Sequence, residues 1–532
     1  MTTTERTAAP ALLCGWVDTI DDDRAAFTLR TGGRVIRVVP FEPGLVRGLR
    51  AESVVAVAGR GGDDGTFEAD ELTVLNHATS VPFTPAGRES ASGAARARFR
   101  YLEFRDPDVA ALFARRHHLS RALSGALDRR GFISLETPIL AAPSASGAKE
   151  FAVTGASSPN AVYALPQSAQ VYGQLAVIGG FERYYQWSRC FRDEDLRANR
   201  QPEFTQLHVE AAFMDLAAIK GLAEELIVEG CAALGIPVEP GFATVTYETA
   251  LQRYGTNKPD LRCAVEETLL PHRIAGTADS GEVALVKTRL PVRQGFARDE
   301  LAALGVSSGF TLVGFVDERD LVHAFLPPAV TLDHARASLR IRDDQGDGAV
   351  PVWTGRLKRV DALVRGLYEH VVARRAGLRL RSHAFGWVER FPLFENDPAV
   401  PGKISAVNSP FTAPADEAAL LAARKNRDLV QLEGLAFDLV LNGEEVATGS
   451  VLIHKPEVQR FVLQSLGVSR KDARAEYGAV LDALETGAPP IAGIGFGFDR
   501  LFATLEGREK IRDVMAFPKT KQGFCPVMRS QT

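Results

Sequence analysis

Two arginine-bearing blocks far apart in the chain limit what it can fold into: Phe191-Arg-Asp-Glu-Asp-Leu-Arg-Ala-Asn-Arg-Gln-Pro-Glu-Phe-Thr-Gln206 and Gly493-Ile-Gly-Phe-Gly-Phe-Asp-Arg500. Handling a polyphosphate and a carboxylate rests on fixed positive charge and bound metal more than on covalent chemistry by the protein. Arg192, Arg200 and Arg500 supply such charge, and Glu194, Asp438 and Glu445 are the acids available to hold metal. A fold for this chain must therefore carry both blocks into one site. Other nucleotide sites do not fit: no G-x-x-x-x-G-K-[ST] stretch is present, and Gly493-x-Gly495-x-Gly497 lacks the strand-helix frame and downstream acid of a dinucleotide fingerprint.

The chain has 532 residues, too many for one core, which implies about three or four domains of roughly 100 to 200 residues each. A net charge of -4 gives no global basic field to announce a nucleic-acid partner, although a local groove can still serve one. Cys14, Cys190, Cys231, Cys263 and Cys525 are scattered without a C-x-x-C pair, which points to reduced thiols rather than a zinc site or a disulfide framework. The first residues hold no apolar signal segment, and no apolar run of about eighteen residues follows, so no membrane role is expected and the location is read as cytoplasmic.

Between Leu12 and Asn76, five short β-rich runs alternate with turns: Leu13 to Val17, Ala26 to Leu29, Val35 to Val39, Ser53 to Ala58 and Glu71 to Leu75. That spacing suits a small barrel, with an OB-fold the natural candidate. Residues 78–110 shift to Ala, Ser, Pro, Gly and Arg and read as a hinge. Leu119, Ala122, Leu123, Ala126 and Leu127 then recur at helical spacing up to Gly131, and Phe132 to Leu140 reads as a strand ending at Pro138. Residues 237–395 mix strand and helix patterns, including Val283 to Thr288, Leu312 to Val316 and an amphipathic stretch from Leu357 to Ala373, and hold none of the polyphosphate residues.

The two blocks strongly resemble motifs 2 and 3 of the class II aminoacyl-tRNA synthetases, and Arg200-Gln-Pro-Glu-Phe-Thr-Gln206 is similar to the bacterial aspartyl type. The likeness runs from Leu12 to about Pro526. It implies an α+β multidomain chain: an OB-fold anticodon-binding-like barrel at 1–77, a hinge at 78–110, an antiparallel-sheet catalytic domain in two parts at 111–236 and 396–532, and a bacterial-type α+β insertion at 237–395. Tyr254-Gly-Thr-Asn-Lys-Pro-Asp-Leu-Arg262 resembles the edge of that insertion, and the 119–140 unit resembles motif 1, whose role is a homodimer interface. By the resemblance, Arg192 bridges the α-phosphate of ATP and the reacting carboxylate, and Glu194 and Arg200 serve the ATP site. Phe204 stacks on adenine, Arg500 grips the γ-phosphate, and Asp438 and Glu445 hold Mg²⁺.

The amino-acid pocket departs from the family pattern. After Ala164-Leu-Pro-Gln-Ser-Ala-Gln170, the family lysine that pairs with the substrate's side-chain carboxylate is replaced by Gly173, and the arginine that clamps the same group is Leu452. The acids that hold the substrate ammonium are replaced by Ser146 and His208, and a family His-His pair is Asn408-Ser409. A hydrogen bond to a charged group is worth roughly 1.5 to 3 kcal/mol, so losing the two cations implies about 10² to 10⁴ in discrimination against aspartate. Room at Gly173 and apolar surface at Leu452 would suit a less charged or bulkier acid, unless Lys149, Lys455 or protonated His208 rebuilds a carboxylate site. In the barrel, Thr19-Ile-Asp-Asp-Asp-Arg24 stands where relatives carry a basic anticodon-facing segment, with Phe27 at the stacking place and Arg37 near a glutamine's place.

The reading is a homodimeric, Mg²⁺- and ATP-dependent adenylate-forming ligase that activates a carboxylic or amino acid other than standard aspartate. The acyl group passes to an amine, a carrier or a tRNA. Two alternatives stand: an aspartate-tRNA ligase with rearranged contacts, and a non-catalytic tRNA-binding or regulatory relative.

Overall fold

The computed structural model describes residues 11–21, 25–62, 64–143, 149–155, 158–262, 272–276, 283–287, 298–308, 310–317, 349–356, 382–397, 400–423, 426–520 and 523–528. The chain divides into two compact units: Met1–Ala122 with Glu194–Pro202 and Lys510–Thr532, and Leu123–Asp193 with Glu203–Glu509. Ser146, Asp22, Asp23, Arg24, Cys263 and the stretch from Leu357 to Ala373 lie outside the described residues.

The first unit is built on the expected five-stranded barrel. Strands β1 (Ala11–Ile20), β2 (Phe27–Thr31), β3 (Arg34–Pro40), β4 (Val54–Gly61) and β5 (Phe67–Asn76) close in the order β1-β2-β3-β5-β4. Alternation along each strand sends Val17, Phe27, Leu29, Val38, Val55, Val57 and Phe67 inward to one core. Gly32 and Gly33, both at positive φ, make the two-residue turn that joins β2 to β3. A Cβ at Gly15 would lie 2.1 Å from the Arg30 carbonyl oxygen, so β1 can approach β2 only with glycine there.

A charge network is buried beside the barrel. Arg30 pairs with Asp18 at 2.8 Å and with Glu52, which also takes a 2.8 Å bond from Arg105, and Arg30 donates to the Arg105 carbonyl. Glu52 is buried and shared by both arginines. In the same unit Arg100 donates to the carbonyls of Met515 and Ala516, and the Ile511 amide donates to Ala198.

The second unit centres on an eight-stranded sheet. Its strands are β6 (Ile133–Ser134), β9 (Arg183–Phe191), β10 (Glu203–Ala212), β11 (Ala243–Thr246), β16 (Phe385–Glu389), β19 (Ala436–Leu441), β20 (Glu444–Leu452) and β21 (Ile491–Gly497), ordered β11-β16-β19-β20-β21-β10-β9-β6. All pairings are antiparallel except the two at the edges. Beside it lie the pairs β7 (Ala152–Gly155) with β8 (Ser158–Ala164) and β17 (Phe394–Asn396) with β18 (Ile404–Ala406). A separate sheet joins β12 (His272–Gly276), β13 (Val283–Lys287), β15 (Ala349–Arg356) and β14 (Phe310–Asp317).

Two details differ from the sequence expectation. The strand expected over Phe132 to Leu140 is only Ile133–Ser134, because β9 offers a parallel partner to those two residues alone. The expected insertion at 237–395 includes β11 and β16, which run in the large sheet. They pair with each other, and Leu261 packs so closely on Gly386 that a Cβ there would lie 2.1 Å from its Cδ1.

Replacing Glu52 with Leu removes the buried carboxylate that Arg30 and Arg105 share and leaves Arg30 with Asp18 as its acidic partner. The expected loss is about 3 kcal/mol of unfolding stability in the barrel unit, read by thermal denaturation, whereas Arg60→Leu, from an exposed pair with Asp70, should change little.

Candidate active site

The register of the large sheet aligns polar residues in rows. Gln186, His208, Gly495, Thr448 and Asp438 stand opposite one another across β9, β10, β21, β20 and β19, and the next row is Tyr184, Glu210, Gly493, Ser450 and Ala436. Period-two alternation places both rows on one face. Glycines at 493 and 495 keep β21 low there: a Cβ at Gly493 would meet Glu210 Cγ at 2.8 Å, and one at Gly495 would meet Gln206 Nε2 at 2.6 Å.

The expected metal acids come together at one end. Asn442 and Gly443, both at positive φ, turn β19 into β20 and set Glu445 opposite Val440, two residues along from Asp438 and so on the same face. A bulge then places Thr448 opposite Asp438. Burial, then the Glu445 charge, push the Asp438 carboxyl up to about 7. Burial alone would also raise Glu445, but the Lys258 ammonium, 2.7 Å away, and Arg500 outweigh it and hold that carboxyl low. Among the described residues no group of three or more His, Cys, Asp or Glu could hold a metal. Two carboxylates are nevertheless a fitting donor set for Mg²⁺, which ordinarily takes one or two from the protein and completes its shell with phosphate and water.

Arg500 donates from Nη1 to the Glu445 carbonyl at 2.7 Å, and Asp499 accepts from the Thr205 amide at 2.7 Å, which ties the second block to β10. The Arg192 guanidinium lies 5.2 Å from the Phe204 ring centroid, and its buried Nε makes no hydrogen bond. Glu194 and Arg200 pair with each other at 2.7 Å in the first unit.

The expected acid pocket is differently filled. Gly173, in the helix Gln170–Ile178, opens no room: a Cβ there would lie 2.6 Å from Tyr184 Cε1 and 3.0 Å from Glu210 Oε2. Leu452 offers no free apolar surface either, being packed with Tyr184, Phe411 and Val177. The expectation of space for a bulkier acid is therefore corrected. Asn408 is exposed, and Ser409 accepts from the Phe411 amide. The three groups that could rebuild a carboxylate site have acidic partners: Lys149 pairs with Asp193 at 2.9 Å, Lys455 with Glu417 at 2.6 Å, and His208 Nε2 with Glu210 Oε1 at 2.7 Å.

Glu210 is the buried acid at this place that sequence reasoning passed over. It is 1% exposed, burial raises its pKa against the lowering influence of His208, and its Oε2 has no hydrogen-bond partner. The Tyr184 hydroxyl donates to Gln186 Oε1 at 2.6 Å, while the fully buried Gln174 amide has no partner on either atom. The alternation of Gln206, His208 and Glu210 was the available signal.

Two outcomes follow. Gly173→Lys should destabilise by about 1 to 3 kcal/mol through overpacking, while Gly221→Lys, with nothing within 4 Å of its Cβ site, should be neutral by the same thermal assay. Because Asp438 keeps its proton to about pH 7 when folded but loses it near 3.8 when unfolded, the unfolded chain binds fewer protons in between, and stability falls as pH rises through that window. Asp438→Asn should flatten the fall, measured as midpoint against pH.

The family model for tRNA synthetases class II (D, K and N) matches residues 92–521. The chain is 33% identical over 97% of its length to the aspartate–tRNA(Asp/Asn) ligase of Thermodesulfovibrio yellowstonii, covering 93% of that relative. It is 36% identical over 98% of its length to the protein of that name from Acidothermus cellulolyticus, covering 92% of it. It is 34% identical over 86% of its length to the aspartate–tRNA ligase of Geobacillus kaustophilus, covering 79% of it. Asparaginyl-tRNA synthetase from Pyrococcus horikoshii, solved with asparaginyl-adenylate, superposes with a TM-score of 0.58 at 19% identity over 96% of this chain and 95% of that one, a likeness of fold.

Proposed function

The chain belongs to the class II tRNA synthetases of the D, K and N type, a family of aminoacyl-tRNA ligases, and on that premise we propose an ATP- and Mg²⁺-dependent adenylate-forming enzyme that activates an acid other than standard aspartate. One observation carries the substrate reading. Where the family places a lysine for the substrate's side-chain carboxylate, this chain has a glycine pressed against the carboxylate of Glu210. A second carboxylate brought there meets a buried acid already paired with His208, which is costly in a low-dielectric site. A small side chain that is neutral and donates hydrogen bonds fits that environment better.

In this reading Arg192 orients the α-phosphate and the attacking carboxylate, with Phe204 beside it for the adenine. Arg500 and Arg200 take the outer phosphates, and Glu194 positions Arg200. Asp438 and Glu445 hold Mg²⁺, which when bound neutralises charge developing on the phosphates. Gln170 and His208 remain at the amino-acid end. The acyl group then passes to an amine, a carrier or a tRNA. Asp21 in the barrel is paired with Arg37 at 2.5 Å, which tempers its repulsion of an anticodon.

We further propose a homodimer through the motif-1-like segment. Ile133, Ile139 and Leu140 are each about half exposed on a short stretch, and contiguous exposed apolar groups of this kind mark association surfaces. The names of the relatives favour a second reading, an aspartate-tRNA ligase with rearranged contacts.

ATP-pyrophosphate exchange across a panel of carboxylic and amino acids separates these readings. The expected result is exchange with a non-aspartate acid at least ~10²-fold above aspartate. Strong aspartate-dependent exchange would establish the second reading, and exchange with no acid would indicate a catalytically idle relative. Leu140→Asp should convert the dimer to monomer in sedimentation equilibrium.

A further inference from the structure

Lys258 belongs to a loop built to deliver it. The helix Tyr247–Tyr254 ends at Gly255 in the left-handed region, whose amide closes on the Leu251 carbonyl. The following turn is held by the Lys258 amide donating to Thr256 Oγ1 at 3.1 Å and the Arg262 amide donating to Asp260 Oδ1 at 3.1 Å. Leu261 is seated on Gly386 of β16, and the Cβ site of Gly443, in the β19–β20 turn, lies 3.4 Å from Asp260 Cβ and 3.8 Å from the Lys258 carbonyl. The loop is thus packed against the hairpin that carries Asp438 and Glu445, and its lysine ends 2.7 Å from Glu445 Oε2.

From this geometry we infer that Lys258 is a built-in counter-cation of the Asp438–Glu445 pair, which holds Glu445 until a divalent metal displaces it. The inference rests on the reading that these two acids hold Mg²⁺. An ammonium on one oxygen of Glu445 occupies a donor that the metal needs, and its charge lowers the pull of the acid pair on a second cation. Metal alone therefore binds weakly. A nucleotide changes the balance, because its phosphates offer the displaced ammonium a new anion. Metal and ATP then bind with positive coupling, and Lys258 is the positioning residue that sets it.

The test is Mn²⁺ binding to the full chain without and with ATP, followed by electron paramagnetic resonance, in the wild type and in Lys258→Met, Lys258→Arg and Asp438→Asn. Without nucleotide, Lys258→Met should bind Mn²⁺ about tenfold more tightly than wild type, the size of one hydrogen bond to a charged group, and should lose most of the ATP-induced gain. Lys258→Arg keeps the charge and should stay close to wild type, whereas a merely structural role would let both substitutions weaken binding. Equal or weaker binding in Lys258→Met overturns the inference while leaving the metal reading intact, provided that Asp438→Asn abolishes the wild-type signal. Binding indifferent to Asp438→Asn overturns both.

Discussion

The antiparallel register of β10 with β9 on one side and β21 on the other is the constraint on which the site depends. It is unbroken from Gln206 to Ala211, so every second residue of three strands falls on one face in fixed rows. The parts of the two distant blocks that lie in the second unit stand at the ends of these strands: Arg192 follows β9, Phe204 lies in β10, and Arg500 follows β21. The β19–β20 hairpin extends the rows to Asp438 and Glu445 through one tight turn and one bulge. A slip of one residue in β10 would exchange Gln206, His208 and Glu210 for Leu207 and Val209, so the hydrophobic core and the polar site specify the same register.

On that floor the two ends carry different electrostatics. Beside the β19–β20 turn, Asp438 and Glu445 are opposed by Lys258 and Arg500 at close range. Beside Gly173, Glu210 faces one histidine, and the buried Gln174 amide next in sequence makes no hydrogen bond. Buried polar groups are normally satisfied, and a cluster that is not is costly to maintain.

Much of this was legible in the residues. The five barrel strands follow from alternation and turn residues, and the meeting of Asp438 with Glu445 on one face follows from the Asn442-Gly443 turn. The pocket was read wrongly in one respect, because a missing side chain was taken as empty space. The volume at Gly173 belongs to Tyr184 and Glu210, which approach from neighbouring strands, and such cross-strand filling leaves no local trace in sequence. Lys258 was equally hidden: it lies almost two hundred residues before Glu445, and only tertiary packing brings the two together. The edge strands β11 and β16 were placed in the insertion because nothing in their composition separates them from it.

The proposal that aspartate is disfavoured rests on a glycine, pressed against the buried Glu210, where the family pattern has a lysine. Calorimetric binding of two non-hydrolysable adenylate mimics, one bearing an aspartyl group and the other its uncharged amide, tests it most directly. The account predicts that the aspartyl mimic binds at least ~10²-fold more weakly than the amide. Tighter binding of the aspartyl mimic would contradict it.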